Sequence, residues 1–185
     1  MMIMKKLFLL PIFLLVAFSF SSCEEDHLNP LPEKVLGQYM KLDIKTRELD
    51  MKDLENTAFG GTLSNPSGNV AKYELFVRRR TGGFLTGDYV LLQTITSFPH
   101  ELRVTPQMLA TALNVNVSEL LNTDVFAFFA YSYDAAGNRA GYLNLARIIQ
   151  ITPGMEQGYR FNTRLNMNPI ALDADTPYNN YEVSP

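Results

Sequence analysis

From Val70 to Arg79 the side chains alternate in character: Tyr73, Leu75 and Val77 fall on one side, Glu74, Arg78 and, just beyond, Arg80 on the other, and Phe76 is the exception. An apolar residue at every second position builds one apolar face only if the backbone is extended, so this stretch is predicted to be a half-buried strand. Met40, Leu42 and Ile44 alternate with Lys41, Asp43 and Lys45 in the same way within Val35 to Arg47. Val125 to Tyr133 is apolar and aromatic on both faces, as a central strand is. Further strands are expected over Thr57–Leu63, Tyr89–Ile95, Glu101–Val104, Arg139–Ile151 and Tyr159–Met167. In Arg139–Ile151, Leu143, Leu145, Ile149 and Ile151 are in phase, whereas Arg147 breaks the phase and implies a bulge or a snorkelling side chain.

Turn chemistry separates these runs. Ser64 to Asn69 holds Asn-Pro-Ser-Gly-Asn, and Asp134-Ala135-Ala136-Gly137-Asn138 closes a hairpin. Thr81 to Asp88 reads as a glycine-rich loop, Leu49 to Leu54 as a polar connection with apolar pegs, and Gly60-Gly61 as a bulge. One helix is expected. Thr105 is a good N-cap, Pro106 suits the first helical position, and Met108, Leu109, Ala112 and Leu113 share a face. Ser118 to Leu121 adds a turn. About seven short strands without strand–helix–strand alternation predict an all-β, antiparallel, Ig-like sandwich with one short helix in a crossover.

The first 22 residues read differently. Lys5 and Lys6 precede Leu7–Phe20, which carries no charge and is interrupted by Pro11. That is the layout of a secretory signal, and it is short for a bilayer span. Without this segment, which holds two lysines and no acid, 163 residues remain, with 14 basic side chains against 19 acidic, or −5. An acidic balance disfavours nucleic acid as a partner. Cys23 is the sole cysteine, so no disulfide forms within the chain. The expected organisation is a signal over 1–22, the cysteine and a proline-stiffened tether (Asn29-Pro30-Leu31-Pro32) over 23–34, the sandwich over 35–152, and an extension over 153–185 with one strand and a loose tail from Pro169.

Several of these stretches resemble known families. Ser21-Ser22-Cys23 resembles a bacterial lipoprotein lipobox, with Phe20 where leucine is usual. The resemblance implies lipidation of Cys23, with more than one acyl chain and so a lasting membrane anchor. Glu24-Glu25-Asp26 is similar to the surface-export signal of Bacteroidota lipoproteins. Tyr73 to Val77 resembles the third strand of a fibronectin type III domain, and Val125 to Tyr133 with the turn after it resembles that fold's last hairpin. More specifically, Val35 to Ile151 resembles Bacteroidota outer-membrane lipoproteins found beside SusC/SusD-like uptake pairs. This implies a non-catalytic accessory protein on the cell surface, or facing the periplasm, that binds a glycan or the uptake pair.

The residues themselves carry little chemistry. His27 and His100 lack metal-ligand spacing and there is no second cysteine, so no zinc site or other cofactor is expected. No Gly-x-Ser-x-Gly elbow and no P-loop lysine occurs. Glu101, Glu119, Asp124 and Asp134 could in principle supply paired carboxylates, but they stand at element ends, where acids cap and turn. Asp173 and Asp175 lack the spacing of a calcium loop. An enzyme is therefore not expected. The candidate contacts are Arg78 and Arg80 of the Arg78-Arg79-Arg80 cluster, which suit an acidic glycan or an anionic partner, with Phe84 and Tyr89 near them, which suit sugar stacking. The plainer reading is a solvated strand face whose charges discourage edge pairing and two rings that serve burial. The alternative is a structural or adhesive surface protein that assembles through its sheet edges. Replacing Cys23 by Ala is expected to move the protein from the membrane to the soluble fraction; membrane retention of C23A contradicts the anchor.

Overall fold

The computed structural model describes residues 37–152 and 155–169. The expected signal, Cys23, the acidic run, the tether with His27, Pro153-Gly154 and the tail with Asp173 and Asp175 lie outside them. Among the described residues two sheets face each other. The smaller is antiparallel, in the order β1 (Lys41–Thr46), β3 (Phe59–Ser64), β6 (His100–Val104). The larger runs β2 (Leu49–Asp50), β9 (Arg160–Asn166), β7 (Val125–Tyr133), β4 (Lys72–Thr81), β5 (Phe84–Ile95). A short β8 (Arg139–Gly141) joins β7 beyond the end of β9. The chain switches sheet from β1 to β2 and back to β3, then between β3 and β4, between β5 and β6, and again between β6 and β7, where α1 (Pro106–Leu113) lies. This is the Ig-like sandwich with a helix-bearing crossover that the alternation predicts.

Alternation becomes a core between the sheets. Met40, just before β1, and Leu42 and Leu63 of the smaller sheet meet Tyr73, Leu75, Val77, Phe126 and Phe128 from the larger. Phe59 of β3, Phe128 of β7 and Phe161 of β9 stack at the centre, with ring centroids 5.4, 5.7 and 5.0 Å apart. Such offset aromatic contacts add to the burial of three large rings. Leu109 and Ala110 of α1 join this core, and the Thr105 hydroxyl caps the helix by accepting from the Met108 N–H at 3.2 Å.

Four stretches differ from the sequence reading. The expected loop Thr81–Asp88 is a tight hairpin: only Gly82 and Gly83, both at positive φ, turn the chain from β4 into β5. Gly60 and Gly61 stand opposite an irregularity between Ile44 and Thr46, so the extra residue is on β1. A Cβ at either glycine would collide with the carbonyl oxygen of Leu102 or Asp43, which explains the pair. Leu49-Asp50, read as a connection, adds a parallel strand to β9.

The largest correction concerns Arg139–Ile151. Only Arg139–Gly141 is strand. β9 pairs with Val125–Phe129 and so occupies the edge that a longer returning strand would fill. The chain therefore leaves the sheet through a 3₁₀ turn at Tyr142–Asn144 and α2 (Arg147–Ile151). Gln150 Nε2 ties this excursion together by donating to the carbonyls of Tyr142 and Leu145, each at 3.0 Å. The chain then passes β1, where Leu42 N–H donates to Glu156 O and Gly158 N–H to Met40 O, both at 2.8 Å. The boundary expected at 152 is thus misplaced, because β9 is an interior strand of the larger sheet.

A buried polar network fixes this return. The Ser132 hydroxyl lies 2.7 Å from Gln38 Oε1 and 2.8 Å from the Tyr159 hydroxyl, and Tyr159 also donates to Gln38 O at 3.1 Å. The Tyr73 hydroxyl donates to Gly158 O. Burial pushes Tyr159 up to about 12, and Tyr73 well above the ordinary tyrosine value. The folded state thus holds both protons more tightly than the unfolded chain. Their stabilisation is complete below the unfolded tyrosine value near 10 and is lost as pH rises through the raised folded values, about 12 for Tyr159. In an alkaline titration, tyrosinate absorbance of these two residues is expected to appear together with loss of β-sheet circular dichroism. Their ionisation near pH 10 in a still-folded protein would contradict the network.

Candidate functional site

β7 presents two faces. Phe126, Phe128, Ala130 and Ser132 point inward and are buried, while Val125, Ala127, Phe129, Tyr131 and Tyr133 point outward and are half-buried. The register carries this parity to its neighbours. Phe76 of β4 stands opposite Phe129, Glu74 opposite Tyr131, and Arg78 and Arg80 opposite Ala127 and Val125. On the other side Arg160 of β9 stands opposite Phe129, and Asn162 opposite Ala127. Directly opposed residues share a face. The outer face of the larger sheet is therefore an aromatic band crossed by arginines.

The rings touch one another. Phe129 and Tyr131 meet edge to face at 4.9 Å, Phe76 meets Tyr131 edge to face at 6.1 Å, and Tyr89 of β5 reaches Phe129 at 6.0 Å. Cations lie over this group: the Arg139 guanidinium 4.3 Å from the Tyr131 ring centre, and Arg78 5.8 Å from Tyr89. Lys72 lies 4.0 Å over Tyr133, and Arg160 5.4 Å from Tyr142. Tyr89 is 43 % and Leu91 51 % exposed, so the band is open to solvent.

Charge on this face is unevenly satisfied. Glu74 accepts from Lys72 Nζ and from the Tyr133 hydroxyl, each at 2.8 Å. The Lys72 hydrogen bond holds Glu74 below the usual carboxylate range. Arg164 pairs with buried Glu48 at 2.7 Å. Arg78, Arg80, Arg139 and Arg160 make no ion pair among the described residues, and the Arg78 Nε is buried without a hydrogen-bond partner.

Of the four contacts picked from sequence, the fold unites Arg78 with Tyr89 and keeps Arg80 on the same face. It separates Phe84. That ring, 80 % exposed at the hairpin tip, stands opposite Thr81, whose hydroxyl donates to Asp124 on the inner side. Sequence reading missed Phe129, Tyr131, Arg139 and Arg160. Phe76, the single break in the β4 alternation, was the available signal.

The remaining candidates have structural tasks. Arg79 points inward and pairs with the fully buried Asp124 at 2.6 Å, which also accepts from Thr81 Oγ1 and Leu121 N–H, each at 2.7 Å. Arg79 also donates to Glu119 O at 2.7 Å, fastening the crossover to β4. Glu119 accepts from Asn116 N–H at 2.6 Å in a capping box. Asp134 holds the hairpin through Asn138 N–H and Nδ2, each at 2.8 Å. Glu101 accepts from Thr62 Oγ1 at 2.7 Å and pairs with Lys45 at 2.9 Å. His100 Nε2 lies 3.3 Å from Gln93 Nε2. These carboxylates do not converge, and among the described residues no group of three acids, histidines or cysteines could hold a metal.

A small cleft borders the outer face of the larger sheet and a larger one lies away from it. The first, about 90 Å³, is lined by Arg47, Glu48, Val125, Asn162, Thr163 and Arg164. The second, shallow and about 570 Å³, lies between the Ser64–Val70 turn and Thr96–Pro99. Compared with protein-family models, with curated proteins and with solved structures, the chain matches none of them.

Replacing Arg79 by Met strands a buried carboxylate. The variant is expected to lose about 3–5 kcal/mol of stability in urea unfolding, and adding Asp124→Leu should recover part of it. A loss within about 0.5 kcal/mol, the range of an ordinary surface substitution, would contradict the assignment of Asp124 as a structural acid.

Proposed function

We propose that the chain is a lipid-anchored, non-catalytic protein of the bacterial outer surface, an accessory to a nutrient-uptake system, which binds a glycan or a partner through the outer face of its larger sheet. The observation that carries this reading is the aromatic band of Phe76, Tyr89, Phe129 and Tyr131, open to solvent and crossed by Arg78 and Arg139. A sheet face with no role beyond closing the core needs polar side chains, not a contiguous set of rings. Aromatic rings beside guanidinium groups suit stacking against sugar or peptide planes. A non-catalytic role is supported by Glu101, Glu119, Asp124 and Asp134, each engaged in a cap, a turn or an ion pair.

The adhesive alternative draws on β5. It is the longer of the two edge strands of the larger sheet, twelve residues against the two of β2, with Phe84, Leu85 and Leu91 exposed. Its pairing with β4 is broken twice, however, between Leu75 and Phe76 and between Val77 and Arg79, and Gly87 there takes a φ of 70°. Bulges of this kind obstruct addition of a further strand, so the face is the better candidate than the edge.

A glycan array probed with the protein, together with its Tyr89→Ala variant, tests the proposal. Binding that drops at least about tenfold in the variant, the scale of one lost stacking contact, is the expected result. A blank array combined with no captured uptake-system protein contradicts it.

A further inference from the structure

We infer that the ligand of this face is an acidic polysaccharide, a sugar chain bearing carboxylate or sulfate groups. The inference rests on the binding-face reading and narrows it to one ligand chemistry. The chain as a whole is acidic, with a formal charge of −3. Yet Arg78, Arg80, Arg139 and Arg160 gather on one face without a carboxylate partner among the described residues. Glu74, which lies among them, is already taken up by Lys72 and Tyr133. The face is thus a local concentration of positive charge on an acidic molecule.

Two of the guanidinium groups are held by the rings. Arg139 lies against Tyr131 at 4.3 Å and Arg78 near Tyr89 at 5.8 Å. A guanidinium resting on a ring keeps its N–H edges free and loses little further side-chain freedom when it meets an anion. Those edges match carboxylate and sulfate oxygens two at a time. A neutral glycan covering the same face would take these charges out of water with no compensating anion, which is costly. The ligand geometry fits as well. The face is open, the cleft that borders it at Val125, Asn162 and Arg164 holds only about 90 Å³, and the shallow cleft at the Ser64–Val70 turn lies away from it, so the face suits a chain laid across strands and not a small molecule enclosed in a pocket. An acidic protein would meet the same arginines and rings, which protein interfaces also favour, and capture of such a partner is the competing outcome of the test.

Calorimetric titration of the full chain in detergent with polygalacturonate and chondroitin sulfate, and with dextran and mannan as neutral comparators, tests this. At least one acidic polymer is expected to bind, more weakly as salt rises. Each of Arg78→Gln and Arg139→Gln should weaken binding about tenfold, the scale of one charged hydrogen-bond pair, with thermal stability unchanged, and Tyr89→Ala should weaken it too. Binding of dextran or mannan alone, unaffected by the arginine variants but reduced by Tyr89→Ala, overturns the acidic ligand and leaves the binding face standing. Capture of a protein partner, sensitive to Tyr89→Ala and with no polysaccharide bound, does the same. Acidic-polymer binding that ignores Arg78→Gln, Arg139→Gln and Tyr89→Ala alike overturns both readings.

Discussion

Phe59, Phe128 and Phe161 hold the two sheets together, and nothing covalent assists them. The sole cysteine, Cys23, precedes the sandwich, so no disulfide spans the core. The three rings are at most 2 % exposed and stack at 5.0–5.7 Å, one from the smaller sheet and two from the larger. Losing a buried phenylalanine typically costs about 3–5 kcal/mol, a large share of the 5–15 kcal/mol by which a domain is stable. Because Phe128 is pinned inward at this stack, Phe129 beside it is compelled outward, and the aromatic band follows from the same constraint that builds the core.

β7 is therefore both scaffold and part of the proposed binding face. A strand that slipped by one residue would exchange its faces, burying Tyr131 and exposing Phe128. Polar contacts oppose such a slip. Ser132 is fixed between Gln38 and Tyr159, and Asp124, just before the strand, is fixed by Arg79 and Thr81. Buried polar groups are costly when unpaired, so a shifted register would leave several of them stranded. The precision with which Arg139 and Arg78 meet their rings depends on these inner contacts, not on any interaction at the outer surface.

The alternation at Met40–Ile44 and Tyr73–Val77, the Thr105–Pro106 helix start and the Asp134–Asn138 hairpin were legible in the sequence because each depends on near neighbours. The path after Gly141 was not. Leu143, Leu145, Ile149 and Ile151 fit a period of two, but Leu145 and Ile149 are also four apart, as in a helix. What decides between the two is β9, which arrives from later in the chain and takes the edge of β7. The site was legible in the same partial way. Arg78 and Tyr89 stood out as an arginine and an aromatic near a glycine-rich turn, and the fold brings them to 5.8 Å. Phe129 and Tyr131 were hidden within a run read as buried on both faces. No pattern local to β7 says that, among the described residues, no further layer packs over its outer face.

The outer face of the larger sheet, around its aromatic band, is the proposed place of ligand binding. Nuclear magnetic resonance of the aromatic and guanidinium groups during titration with an acidic polysaccharide tests it most directly. The expected result is shifts confined to Phe76, Arg78, Tyr89, Phe129, Tyr131 and Arg139, with Phe98 unmoved. Shifts centred on Phe98 and the Ser64–Val70 turn, with the face silent, would contradict it.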